Sequence, residues 1–209
     1  MHFQKLTTRA SLIVLMLGLF ASLSLTSCGA VAPIVQGDIE EVPGPFAFSG
    51  GRTLHPDLFT KAGHYLSTRQ AEKAEATYRE LIEIEPSNEN AHIGLGSSLF
   101  LQERYDEALA AYKEASHMAP ESVEATIGQA TVAHAAGDLE NSLDLYSKAI
   151  DLDESNADAH WGKAITLAAL GRMQPAIAHL ERVLELAPET ALADQAQAKI
   201  DELEAAAGP

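Results

Sequence analysis

The reactive side chains available to this chain are eight histidines, thirty carboxylates and a single thiol, Cys28. Several catalytic motifs hold such groups at fixed short spacings, and three of these are missing. There is no Gly-x-Ser-x-Gly to present a serine nucleophile, no Gly-x4-Gly-Lys-Ser/Thr to cradle a phosphate and no His-Glu-x-x-His to hold zinc. Gly94-Leu95-Gly96-Ser97-Ser98 is glycine-rich but lacks a following lysine to reach a phosphate. Asp151 and Asp153 fall at a predicted helix end and read as solvated carboxylates. His92 and His160 read as packing residues, and His134 is a candidate for a pH-sensitive contact. No enzyme activity, metal or cofactor is expected.

The elements that must position these residues follow one step. Tyr78, Tyr112 and Tyr146 lie 34 residues apart, and the neighbouring columns keep the same period. With His55 as position 1, later units begin at Glu89, Val123 and Ala157, giving segments 55-88, 89-122, 123-156 and 157-190. Position 8 reads Ala62, Gly96, Ala130, Ala164 and position 20 reads Ala74, Ala108, Ser142, Ala176. Small columns mark where helix backbones approach, and larger side chains fill the gaps between. The large columns are position 24, with Tyr78, Tyr112, Tyr146 and Leu180, and position 30, with Ile84, Met118, Leu152 and Leu186. Pro86, Pro120 and Pro188 stop the second helix of their units, with Glu154 in the same place in the third. Asn88, Ser122, Asn156 and Thr190 then stand where an N-cap is needed.

This pattern resembles the tetratricopeptide repeat, a 34-residue helix-turn-helix unit. The second unit matches best, through Leu95, Gly96, Tyr105, Ala108, Tyr112, Ala115 and Pro120. The tryptophan usual at position 4 is replaced by Leu58, His92, Thr126 and His160. The resemblance implies an all-α solenoid of four helix pairs. Residues 191-209, with Ala193, Ala196, Ile200 and Leu203 on one stripe, read as a C-terminal capping helix and tail.

The same resemblance places the first helix of each pair on a concave face, with positions 2, 5, 9, 12 and 13 lining a groove. Position 5 is Phe59, Ile93, Ile127, Trp161; position 12 begins Leu66, Phe100, His134; Leu101 stands at position 13 and Ile165 at position 9. Such a floor suits an apolar or amphipathic segment of a protein partner, with Asn90, Glu124 and Asp158 along the edge. Burial under a neighbouring helix is the alternative, and for Ile93 and Ile127 the two readings balance. A third reading has the chain's own Phe46-Ala47-Phe48 occupying the groove until a partner displaces it. Positions 5 and 9 carry no lysine, arginine or asparagine, so a clamp for a free C-terminal carboxylate is not expected.

The N-terminal segment predicts location. Lys5 and Arg9 precede the 16-residue stretch Ala10 to Leu25, interrupted only by serines and Gly18, short for a spanning helix and suited to a signal peptide. Leu25-Thr26-Ser27-Cys28 resembles the bacterial lipobox, which implies cleavage after residue 27 and a lipid on Cys28. Gly29 rather than aspartate follows, which by resemblance to Gram-negative lipoproteins implies the outer membrane, facing the periplasm. Residues 28-54 hold Pro33, Pro43 and Pro45 among several glycines and read as a tether spanning roughly 25–30 Å.

The net charge of −16 disfavours nucleic-acid binding through a basic footprint. Lipid-anchored repeat proteins of this size resemble three groups. One comprises pilus-biogenesis lipoproteins linked to an outer-membrane secretin, meaning type IV pilotins and the TadD-type protein of the tight-adherence (Flp) pilus. The others are the repeat lipoprotein of outer-membrane-protein assembly and adaptors for cell-wall hydrolases. Length favours the tight-adherence type.

Overall fold

The computed structural model describes residues 54–207. Its helices are α1 (Pro56–Ser67), α2 (Ala71–Ile84), α3 (Glu89–Leu101), α4 (Tyr105–Met118), α5 (Val123–Ala135), α6 (Leu139–Leu152), α7 (Ala157–Ala169), α8 (Met173–Leu186) and α9 (Ala191–Ala207). No strand occurs among the described residues. The signal segment, Cys28, the tether and Phe46-Ala47-Phe48 lie outside them.

Local chemistry sets each boundary. At the N-termini of α3, α5, α7 and α9, the side chains of Asn88, Ser122, Asn156 and Thr190 accept hydrogen bonds from the backbone N–H groups of Ala91, Ala125, Ala159 and Ala193. Each satisfies an otherwise orphaned first-turn donor. The turn inside each pair needs a left-handed residue at position 15, with φ of 56° at Arg69, 60° at Glu103, 83° at Gly137 and 74° at Gly171. The second helices stop two residues before position 32 in every unit, the third included. There Glu154 replaces the proline, and Asp153 Oδ1 accepts from the Ser155 amide at 2.9 Å and hydroxyl at 2.6 Å. This Asx-type turn takes the place of the missing ring.

Successive units are locked by a tyrosine on a glycine. A Cβ built on Gly94 would lie 2.2 Å from the Tyr78 ring, one on Gly128 2.3 Å from Tyr112, and one on Gly162 2.2 Å from Tyr146. Position 24 of one unit thus fills the space left at position 6 of the next, a small column additional to positions 8 and 20. Tyr112 and Tyr146 then engage hydroxyls at position 9 of their own units, Ser97 and Thr131, each at 3.0 Å.

Each helix packs on its pair mate and on the following unit. Successive first helices also touch, α1 on α3, α3 on α5 and α5 on α7, whereas successive second helices do not make comparable contact. The first helices therefore occupy the inner side of the stack. Helix α9 packs on α8, where Leu192, Ala196, Ile200 and Leu203 share a buried cluster with Ile177, Leu180 and Val183. The position 30 column fills a gap only in the fourth unit, where Leu186 packs on the core; Ile84 is 48% exposed, with Met118 and Leu152 also on the surface. Each is the last residue of its helix, at the point where the chain turns away.

Candidate binding surface

From the second unit onward the inner helices bury far more of their circumference than the outer ones, whereas α1, at the end of the stack, buries only Ala62 and Leu66. In α3 the run Ile93 to Leu99 is buried throughout, whereas α4 buries only Ala108, Ala111, Tyr112 and Ala115. A helix that is small or apolar around most of its surface is one enclosed by neighbours. This enclosure decides what the inner face has left to offer. Leu66, Ile93, Ile127 and Trp161 are buried core residues, so the position 5 column is largely consumed by packing between units. Phe59, Phe100, His134 and Ile165 are half-buried, and Leu101 is 40% exposed. A partner reaching the inner face without repacking would meet these five.

Their own contacts hold them in place. Phe59 stacks edge-on against Tyr78, with ring centroids 6.0 Å apart at 71°. Phe100 leans on Tyr105 at 5.6 Å. His134 Nδ1 lies 2.9 Å from Thr166 Oγ1, whose hydroxyl also lies 2.8 Å from the Gly162 carbonyl it donates to. With the threonine proton committed to the carbonyl, His134 donates through Nδ1 and joins α5 to α7. Burial pushes its pKa below the ordinary histidine value, so it is neutral at pH 7. It is an inter-unit bond before it is a sensor. At position 2, Asn90 and Glu124 are half-buried and Asp158 is buried. Asp158 helps raise the pKa of Tyr146, which burial chiefly drives up to about 12.

Tyr78 lacks what its two counterparts have. Position 9 of the first unit is Gly63, which supplies no hydroxyl, and the fully buried Tyr78 hydroxyl makes no hydrogen bond among the described residues.

Two position 4 histidines serve the stack. His92 Nε2 lies 3.0 Å from the carbonyl of Pro86, and His160 Nε2 lies 3.3 Å from that of Glu154, so each reaches back to position 32 of the preceding unit. His160 also meets His179, Nδ1 to Nδ1 at 3.0 Å. One arrangement of protons satisfies all three atoms: neutral His160 donates from Nε2 to the carbonyl and accepts at Nδ1 from His179. Burial, followed by the Lys163 charge, pushes His179 down to about 4. Sequence reading did not pair these histidines, because nothing in the 34-residue step links position 4 to position 23. Among the described residues no three His, Cys, Asp or Glu side chains converge to hold a metal ion.

An all-α stack of four helix pairs with a closing helix defines a repeat solenoid, a class built to bind along its length. Tetratricopeptide-repeat models match residues 59–122 and 102–157, and a second such model matches 133–200; the chain belongs to the tetratricopeptide-repeat family. Among solved structures, a thermophilic repeat protein of Thermus thermophilus aligns with 70% of this chain and 79% of its own, at 16% identity and TM-score 0.65. The protein MamA covers 68% of this chain and 92% of its own, at 16% identity and TM-score 0.54. The first repeat domain of Spaghetti (RPAP3), solved bound to the HSP90 peptide SRMEEVD, covers 55% of this chain and 88% of its own, at 23% identity and TM-score 0.51. These likenesses establish the fold. No curated protein matches the chain in sequence.

Proposed function

We propose that this chain is a non-enzymatic scaffold whose inner face holds an apolar or amphipathic segment of a protein partner in assembly of the bacterial envelope. The observation that carries the reading is the accessible part of that face: Phe59, Phe100, Leu101 and Ile165 on the inner helices, with no cation at positions 5 or 9. The RPAP3 domain was solved with a peptide bearing three acidic side chains. A similar ligand is disfavoured here, because Asn90, Glu124 and Asp158 edge the face and the chain carries a net charge of −16.

The setting we propose is the periplasmic side of the outer membrane, with the stack held by lipid on Cys28 and residues 28–54 as tether. Two or more acyl chains anchor stably where one binds marginally. Pilus assembly of the tight-adherence or type IV kind, through a secretin or another pilus component, is the setting we favour. Recruitment of a cell-wall hydrolase, or a part in outer-membrane-protein assembly, is the alternative. Neighbouring genes separate these, since secretin and pilin genes favour the first.

The decisive experiment is to combine Phe59→Ser, Phe100→Ser and Leu101→Ser in the lipid-bearing chain and measure partner recovery by cross-linking from native membranes, with a thermal melt as control. All three side chains are at least partly exposed, so the fold should survive. Loss of the partner from a folded variant is expected; undiminished recovery overturns the reading. Separately, Cys28→Ser should abolish processing and membrane fractionation, and unchanged behaviour would remove the lipid anchor from the account.

A further inference from the structure

The outer side of the stack carries a crevice of about 440 Å³ between α2, α3 and α4. Its floor is the buried Leu95, Leu99 and Ala111, with the exposed Ala110 and the half-buried Ile82 at its sides. The repeat itself shows why it is open there. At position 23 the second unit has Ala111 where the third has Leu145 and the fourth His179; at position 7 it has Leu95 where they have Gln129 and Lys163. Larger or polar side chains stand at the equivalent places there. Gln129 Nε2 donates to Ser116 Oγ at 2.7 Å, joining α5 to α4, and His179 meets His160 at 3.0 Å, joining α8 to α7.

The mouth is braced and acidic. Glu75 on α2 takes Arg79 at 2.9 Å and Arg104 at 2.7 Å, and Arg104 also takes Glu107 at 2.6 Å. This chain of ion pairs ties α2 to the start of α4 across one end of the crevice. It occupies the charges of Arg79 and Glu107, both of which line the opening. Glu83 and Glu114 remain on the rim, and among the described residues neither makes an ion pair. At position 26, where this crevice has Glu114, the third and fourth units have Lys148 and Arg182. The acidic rim and the small floor residue thus fall together in the second unit.

We infer that this crevice is a second docking site, distinct from the inner face, for a partner segment that presents one large apolar side chain flanked by lysine or arginine. An apolar side chain lies over Leu95, Leu99 and the small Ala111, and flanking cations meet Glu83 and Glu114. Charge complementarity selects this occupant over an acidic or a neutral one. The inference does not depend on what the inner face binds.

The test uses the full chain in phosphatidylcholine nanodiscs, with methyl groups of isoleucine and leucine observed by NMR. The probe is the peptide acetyl-Lys-Lys-Phe-Lys-Lys-amide, with acetyl-Glu-Glu-Phe-Glu-Glu-amide and empty nanodiscs as controls. Saturable shifts are expected at Ile82, Leu95 and Leu99 with the basic peptide and none with the acidic one. Ala111→Leu, which installs the side chain of the third unit, should weaken binding at least fivefold. Glu83→Lys with Glu114→Lys, both at exposed positions, should do the same and decides the matter if the first variant folds poorly. Absence of shifts, equal response to both peptides, shifts confined to Leu101 and Ile165, or indifference to Ala111→Leu and the charge reversals would each overturn the inference.

Discussion

Tyr78 and Gly63 show how one missing hydroxyl changes a site that is otherwise repeated. An ideal Cβ on Gly63 would stand 4.0 Å from the Tyr78 hydroxyl with nothing nearer, so a serine there would bring its Oγ within hydrogen-bond range. Gly63→Ser should stabilise the protein by about 1 kcal/mol, through a new buried hydrogen bond and better helix propensity, raising Tm by roughly 2–4 °C. A scanning calorimeter reads this directly, and no rise would mean that the hydroxyl is already satisfied. Gly128 presents the opposite case. Its Cβ would lie 2.3 Å from a ring carbon of Tyr112, and Gly128→Ala should cost about 1–3 kcal/mol in urea unfolding. Adding Tyr112→Leu should recover part of that loss, since the fourth unit has Leu180 at the same position; strict additivity would contradict the pairing. Sequence alone had shown the tyrosine column but not its partner, because Gly94, Gly128 and Gly162 belong to the next unit.

At the scale of helices and turns, the caps were legible because each is a local event: Asn88, Ser122, Asn156 and Thr190 act within three residues of themselves. Burial was not legible, because Ile93, Ile127 and Trp161 are covered by helices from other units and their periodicity looks the same either way. The position 15 turn holds an unexploited preference. Glu103 sits at φ 60°, a conformation that costs a side-chain-bearing residue more than it costs glycine. Glu103→Gly should therefore stabilise by about 0.5–1 kcal/mol, and a lower Tm would contradict it. The histidine pair joining α7 and α8 gives a pH dependence of defined sign. The folded pKa values of His160 and His179 lie below the ordinary 6.5, so the stack favours their neutral forms. Their contribution is complete above the unfolded value and declines as pH falls from about 6.5 towards 4, where the unfolded chain takes up protons that the fold refuses. Tm measured across that window should fall more steeply for the native chain than for His179→Leu.

The whole molecule is a one-dimensional stack, so its ends matter. Removing residues 191–209 would bare the face of α8 that buries Ile177, Leu180 and Val183 beneath α9, and the truncated chain should lose stability and self-associate in sedimentation. The fold class was legible because four units in one register repeat the same contacts. The binding surface was legible only in outline: Phe59, Phe100, Leu101, His134 and Ile165 keep exposure on the inner face, while Leu66, Ile93, Ile127 and Trp161 are taken up by the core. The central claim is that partners are held on that inner face. It is tested most directly by placing a photo-crosslinking amino acid at position 100 on the inner face, or at position 144 on the outer face of α6, in the full chain expressed in its native cells. The account predicts a discrete adduct from position 100 that is absent from position 144; no adduct at 100, or the same adduct from both, would contradict it.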